Sequence, residues 1–180
     1  YQNANGFPFR FFTEASLDLA EDAELMRLMV DANITGVFVG IESPNEKALK
    51  ETKKFQNVRP VGTLLERVRR IQDAGMEVTC GMILGFDSDD TDIFEAQRRF
   101  VQDARIIHVM LGMLTAIPKT PLHERLAHEG RLDTADVNEF GTNIIPTQMS
   151  RTELREGYVR TFHAMNEPAA YFERVEALYL

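Results

Sequence analysis

The chain has 180 residues, of which 44% are hydrophobic and 27% charged, a composition typical of one folded domain rather than a disordered segment. Its formal net charge of −8 argues against nucleic acid as the main partner. No apolar run is long enough to span a membrane. The single cysteine, Cys80, excludes an internal disulfide and fits a reducing compartment, so we expect a cytoplasmic location.

Strand and helix patterns alternate along the first 132 residues. Apolar or alternating runs predict strands at residues 10–16, 36–42, 77–86 and 106–114. Amphipathic or capped segments predict helices at about residues 22–32, 44–54, 60–74 and 91–104. Crossovers of helix length join parallel strands, so the sequence predicts an α/β fold with a parallel sheet. We expect about four such βα units. They would form only part of a TIM-like β/α barrel, because a closed barrel of this kind takes roughly 250 residues.

The third predicted strand carries two glycines on one face. Gly81 and Gly85 are an even number of residues apart, so both share a face with Ile83. Glycine weakens the interior of a strand, and two on one face indicate that something approaches the backbone closely. That neighbour is either a ligand or tightly packed side chains of the barrel, and the spacing alone favours neither.

Carboxylate and hydroxyl side chains stand at the carboxyl ends of the first two predicted strands. Glu14, Ser16 and Glu42 occupy these positions, at the edge where parallel sheets hold their ligands. A buried carboxylate needs partners, which a ligand rich in hydroxyls or amines would supply. Simpler interpretations stay open: Glu42 forms a salt bridge at the rim, and Ser43 caps a helix through a capping box with Glu46.

The pattern changes after residue 132. A capping box from Ser150 to Glu153 opens a helix, and Pro168 opens a last one. No chemical motif lies in this part of the sequence. We therefore expect a parallel-sheet domain at residues 1–132 and a helical extension at residues 133–180.

Three motifs in order resemble the second half of a radical S-adenosylmethionine domain. They are Gly-Ile-Glu-Ser at residues 40–43, Gly-Met-Ile-Leu-Gly-Phe at 81–86, and Ile-Pro-Lys-Thr-Pro-Leu at 117–122. Residues 11–16 and 143–153 are similar to the cobalamin-binding subgroup. That subgroup includes relatives of magnesium-protoporphyrin monomethyl ester cyclase, loosely called Fe–S oxidoreductases, and hopanoid C-methylases.

This resemblance implies a chemistry and a set of binding roles. Such enzymes hold a 4Fe–4S cluster and S-adenosylmethionine in a partial barrel, and some also use cobalamin from an upstream domain. Cleavage of S-adenosylmethionine yields a radical that abstracts hydrogen from a small-molecule substrate. The implied cofactor-binding residues are Glu42 and Ser43 at the ribose, Gly81, Ile83 and Gly85 at the adenine, and Glu14 and Ser16 near the methionine end or the substrate.

The sequence also departs from that family. The family's three-cysteine loop on its first strand, its glycine-rich motif for the amino group on its second strand and the cobalamin domain are missing, so no catalytic residue or metal ligand is expected in this chain. We therefore expect a C-terminal piece of an Fe–S oxidoreductase or methyltransferase, inactive without the upstream part of the same polypeptide. Exposed strand edges predict self-association of the piece. The alternative is a self-contained α/β small-molecule-binding module or a non-redox barrel enzyme.

Overall fold

Four parallel strands form one sheet whose spatial order follows the chain. A computed structural model describes residues 1–51, 53–58, 62–135 and 137–180. The strands are β1 (Phe11–Ala15), β2 (Ile34–Glu42), β3 (Glu77–Leu84) and β4 (Val109–Met113), paired in the order β1-β2-β3-β4. The helices are α1 (Ala23–Asp31), α2 (Glu46–Glu51), α3 (Leu64–Asp73), α4 (Ile93–Asp103), α5 (Pro121–His128), α6 (Val137–Phe140), α7 (Arg151–Asn166) and α8 (Pro168–Tyr179).

The helices cover one face of the sheet. Alternate residues of β2 and β3 are almost completely buried in the main core, and they are Val37, Val39, Ile41, Val78, Cys80, Met82 and Leu84. The intervening residues of β2 and β3 face the other way. On that second face, Phe12 of β1 is 59% exposed and Met110 of β4 is 68% exposed. Because strand side chains alternate between faces, this pattern leaves the second face of the described sheet open.

The structure confirms an α/β fold with a parallel sheet, whereas closure into a partial barrel stays a prediction. Two predicted helices change in length: α2 is shorter than residues 44–54, and α3 begins at Leu64. Residues 52 and 59–61, on which parts of those predictions fall, lie outside the described residues. In the part of the chain that is described, no helix combines the length and apolar character that crossing a bilayer requires.

The C-terminal region shares the core of the sheet. Met149, Leu154 and Met165 belong to the same buried cluster as the strand residues. An antiparallel bridge joins Leu132 to Ile144, across the predicted boundary at residue 132. The predicted capping box of α7 is confirmed: Ser150 Oγ accepts from Glu153 N, and Glu153 accepts from Ser150 N. The division into two domains stays a prediction.

Candidate functional site

A pocket of about 450 Å³ opens at the carboxyl ends of β1 and β2. Glu14 and Ser16 border it from the end of β1, and Glu42 from the end of β2. Sequence analysis placed these three side chains at one edge of the sheet, and the structure brings them together around this pocket. Its remaining walls are Ala15, Leu17, Phe38, Gly40, Lys54, Gln56 and Asn57.

Glu42 reaches the pocket through an irregularity at the end of β2. Gly40 pairs with Gly81, whereas Glu42 pairs with Met82, so β2 carries an extra residue at this point. The φ angle of Glu42 is 67°, in the left-handed region that few non-glycine residues adopt. Strand irregularities of this kind redirect side chains and are frequent beside active sites. Here the irregularity leaves the carboxylate of Glu42 lying over Gly40.

Glycine is needed at position 40 because the Glu42 side chain occupies the adjoining space. A Cβ atom at Gly40 would lie 2.7 Å from Glu42 Oε1 and 3.2 Å from Lys54 Nζ. Those two groups form a salt bridge of 2.9 Å, in which the Glu42 side chain is 16% exposed. The rim salt bridge that the sequence left open is therefore present, and it positions the carboxylate inside the pocket.

Two polar residues that the sequence analysis missed hold the loop that carries Lys54. Asn57 donates from Nδ2 to the carbonyl oxygens of Gly40 (3.0 Å) and Ile41 (3.1 Å). Arg67 donates from Nη1 to the carbonyl oxygen of Gln56 at 2.6 Å. The loop has no periodic pattern that would reveal these contacts. A charged residue next to the apolar stripe of α3 was the one signal for Arg67.

Ser43 is completely buried and does not line the pocket. Its Oγ accepts a hydrogen bond of 3.1 Å from Asn45 N, which stabilises the turn that follows β2. The predicted capping box between Ser43 and Glu46 is wrong, because Asn45 caps this end instead and its Oδ1 accepts from Lys47 N at 3.0 Å. Helix α2 therefore begins at Glu46 instead of residue 44, so the turn before it is two residues longer than the sequence motif suggested.

The space expected over Gly81 and Gly85 is filled by side chains. A Cβ at Gly81 would lie 3.0 Å from Phe38 Cζ of the adjacent strand. Gly85 follows the end of β3 with φ of 100°, so it no longer shares a face with Gly81, and a Cβ there would lie 2.9 Å from Leu154 Cδ2 of α7. Packing by side chains, the simpler alternative, thus accounts for the close approach at both glycines.

Ile83 borders the part of the open face that remains free. It pairs with Gly112 of β4, and no described atom lies within 4 Å of a Cβ placed on Gly112. The open face is therefore uncovered beside Ile83 and Gly112, whereas Phe38 covers it at Gly81.

The acidic run after β3 has a structural role that the sequence did not reveal. Asp89 is 1% exposed, and its Oδ2 accepts hydrogen bonds of 3.0 Å from the backbone N–H groups of Gly85 and Phe86. Burial raises the pKa of Asp89 to about 6, although these two bonds act in the opposite direction. The carboxyl group thus fixes the turn that leads away from the sheet.

This raised pKa predicts a loss of stability as the pH rises. Between the usual pKa of 3.8 and about 6, the folded chain binds a proton that the unfolded chain releases, so the free energy of unfolding falls across that window. Asp89→Asn, which has no proton to release, should flatten this dependence. Urea unfolding measured across the window tests it, with the exposed Asp90→Asn as the control. A profile that Asp89→Asn leaves unchanged would contradict the assignment.

The residues of this chain do not fit an iron–sulfur cluster. Cys80 is buried on the helix-covered face, and desolvation raises the pKa of its thiol to about 12. Clusters are held by several thiolates, which a buried, protonated thiol cannot replace. Among the described residues, no group of three or more His, Cys, Asp and Glu side chains is placed to hold a metal ion.

Comparisons with known proteins agree with the resemblance carried by the motifs. Residues 120–180 match the family described as a domain of unknown function, DUF4070. The chain is 39% identical over 178 residues to an uncharacterized methyltransferase of Synechocystis sp., covering 97% of this chain and 33% of that protein. It is 37% identical over 145 residues to hopanoid C-2 methylase of Rhodopseudomonas palustris, covering 81% of this chain and 27% of the methylase.

The curated relatives that match are longer than this chain. It spans about a third or less of the length of these curated relatives. The family model matches the last third of the chain. The match to the methyltransferase covers nearly the whole chain, including the strands that carry the motifs. These findings support the placement of the chain as a C-terminal part of a protein of the radical S-adenosylmethionine and cobalamin family.

Proposed function

We propose that this chain supplies the S-adenosylmethionine pocket of a radical methyltransferase. The observation that carries the proposal is the convergence of Glu14, Ser16 and Glu42 on one pocket of about 450 Å³ at the carboxyl ends of β1 and β2. Two relatives are named as a methyltransferase and a methylase, which supports methyl transfer over other oxidoreductase chemistry. When bound, S-adenosylmethionine supplies the reactive adenosyl or methyl group.

The proposed roles follow from where the side chains lie. The Glu42 carboxylate, partly exposed in the pocket, accepts hydrogen bonds from the ribose hydroxyls. Glu14 and Ser16 lie at the methionine end or the substrate, and Phe38 forms the apolar wall. Ser43 acts indirectly, through the turn that orients Glu42.

In this proposal β3, the strand next to Phe38, contributes to the side of the pocket that binds the adenine base. Ile83 supplies an apolar contact beside the open space at Gly112. Gly81 contributes by admitting the Phe38 ring, whereas Gly85 admits Leu154 of the buried core and lies away from the base.

The other cofactors belong to the preceding part of the polypeptide in this proposal. The 4Fe–4S cluster would be bound there, since Cys80 is buried and protonated, and cobalamin would be bound by a further upstream domain. The piece is then inactive alone. The preceding part would cover the edge of β1, and without it we expect the exposed edge to promote self-association. A protein with a reduced lone cysteine would act in the cytoplasm.

The Glu42→Ala substitution in the full-length protein tests the proposal. Loss of charge-assisted bonds to the ribose is expected to weaken S-adenosylmethionine binding by about 1–3 kcal/mol, or roughly 5- to 150-fold. Isothermal titration calorimetry measures the affinity directly. Glu46→Ala, whose carboxylate pairs with Lys50 on the exposed side of α2, is the matched control and should leave the affinity unchanged. Equal affinities of Glu42→Ala and the control would remove the proposed role.

A further inference from the structure

The described lining of the candidate pocket contains three charged side chains, of which two neutralise each other. Lys54 Nζ lies 2.9 Å from Glu42 Oε1, so this pair adds no net formal charge. The third is Glu14, near the carboxyl end of β1. Its carboxylate has no ion pair or hydrogen bond with any residue that the structure describes. The described lining therefore carries a net negative charge, and Glu14 supplies it.

The other polar side chains of the described lining are neutral. Ser16 Oγ accepts a hydrogen bond of 3.1 Å from Asp18 N, and Asn57 donates to carbonyl oxygens of β2. The buried cation closest to these segments, Arg67, does not line the pocket, and its Nη2 is paired with Asp18 and Glu21. Within the described lining, no positive charge is therefore left to pair with Glu14.

An aromatic ring lies beside the Glu14 carboxylate. Glu14 is the register partner of Phe38 in the pairing of β1 with β2, and both residues line the pocket. Paired residues of adjacent strands project to the same face of a sheet, and the face of an aromatic ring attracts cations. Leu17, which is 1% exposed, adds an apolar wall, and apolar surroundings strengthen interactions between charges. This corner of the pocket therefore suits a positively charged group.

We propose that Glu14 selects the positively charged sulfonium of the cofactor over the neutral thioether that remains once the sulfonium has reacted. The inference rests on the proposed function, because it takes S-adenosylmethionine to be the ligand of this pocket. It goes further by giving Glu14 one role, at the sulfur of the ligand, and by making this residue a determinant of specificity. S-adenosylmethionine and S-adenosylhomocysteine differ by one methyl group and one positive charge, so an unpaired carboxylate distinguishes them by charge.

The test compares the affinities of three ligands for the full-length protein, measured by isothermal titration calorimetry without a reductant so that the cofactor is not cleaved. They are S-adenosylmethionine, S-adenosylhomocysteine and sinefungin, in which an ammonium group carries the charge in place of the sulfonium. Glu14→Gln should weaken the two charged ligands about fivefold and leave S-adenosylhomocysteine nearly unchanged, because water partly screens the exposed carboxylate. The matched control is Glu24→Gln, which removes an exposed carboxylate from the first turn of α1 and should change none of the three affinities.

Ionic strength separates an effect of charge from an effect of structure. Raising the NaCl concentration from about 20 to about 500 mM should reduce the preference of the unchanged protein for S-adenosylmethionine over S-adenosylhomocysteine. In Glu14→Gln this preference should be smaller and nearly independent of salt. A preference that salt does not alter in the unchanged protein, or equal weakening of all three ligands in Glu14→Gln, would overturn the inference. Retained sinefungin affinity in Glu14→Gln would also overturn it, because the methyl group would then be recognised instead of the charge.

A further variant separates this inference from the proposed function. Glu42→Ala alone leaves Lys54 without its printed partner and so adds a positive charge to the pocket, whereas Glu42→Ala combined with Lys54→Ala removes both charges. This double variant should weaken all three ligands equally, because they share the ribose and the amino-acid group, and should leave their relative affinities unchanged. If only the Glu42 test fails, the ribose contact is removed and the charge preference remains. If only Glu14→Gln fails to alter the preference, this inference is overturned and the ribose contact remains.

Discussion

Replacing Arg67 by alanine is expected to lower the free energy of unfolding by about 3 kcal/mol. The Arg67 side chain is completely buried, and its Nη2 lies 2.9 Å from Asp18 Oδ1 and 3.1 Å from Glu21 Oε1. These carboxylates are 37% and 28% exposed, so water compensates part of their loss, and the expected effect lies at the low end for a buried pair. Urea unfolding monitored by circular dichroism measures the change.

The same substitution should also weaken S-adenosylmethionine binding, although Arg67 does not line the pocket. Arg67 links the short 3₁₀ helix Leu17–Glu21, which follows Ser16, to the segment Phe55–Val58, which carries Asn57. Both segments border the candidate site. Without this link we expect the pocket walls to separate and the affinity of the full-length protein to fall.

The control for Arg67 lies on the same helix. Arg69 is exposed and donates a single 3.1 Å hydrogen bond to the carbonyl oxygen of Asp103, so Arg69→Ala should change stability by about 1 kcal/mol or less. Equal stabilities of Arg67→Ala and Arg69→Ala would show that the buried contacts contribute nothing net. Retained cofactor affinity in a folded Arg67→Ala protein would instead show that the loops are held by other contacts.

Gly157→Ala is expected to destabilise the chain, against the helix preference of alanine. Gly157 lies within α7, and a Cβ there would lie 2.1, 2.3 and 2.4 Å from three ring atoms of Phe94 in α4. Alanine in a helix usually gains about 1 kcal/mol over glycine. Here the ring must move away from the core that it packs against, so we expect a net loss of about 2 kcal/mol from overpacking.

Two further variants decide whether the Phe94 contact causes that loss. Gly112→Ala is the control, since Gly112 lies inside β4 and, apart from its chain neighbours, no described atom lies within 4 Å of its added Cβ, so it should raise the unfolding midpoint slightly rather than lower it. Adding Phe94→Leu to Gly157→Ala should restore part of the stability, giving a non-additive double-mutant cycle. A stabilised Gly157→Ala variant would show that the helices separate at little cost.

The local patterns of the sequence were sufficient for the parallel sheet and for one side of the site. Alternation of apolar residues placed Val37, Val39 and Cys80 on the helix-covered face, where they are buried. Glu14 and Glu42 were expected at the same edge because parallel strands present their carboxyl ends together, and both line the pocket. The face that a strand residue occupies and the direction of the strand are local properties, so they can be predicted from a single sequence.

Only the tertiary structure decided which side chains fill the space beside Gly81 and Gly85 and which ones surround the pocket. Phe38 covers Gly81, and Leu154, far along the chain, packs against Gly85, so neither glycine opens onto a cavity. Lys54 reaches the site from a loop, and Arg67 of α3 holds that loop through the carbonyl oxygen of Gln56, and no sequence motif reveals either contact. Strand periodicity states which face a residue occupies, but the neighbour across that face comes from a distant segment. Its identity depends on how the elements pack together, which residue spacing does not encode.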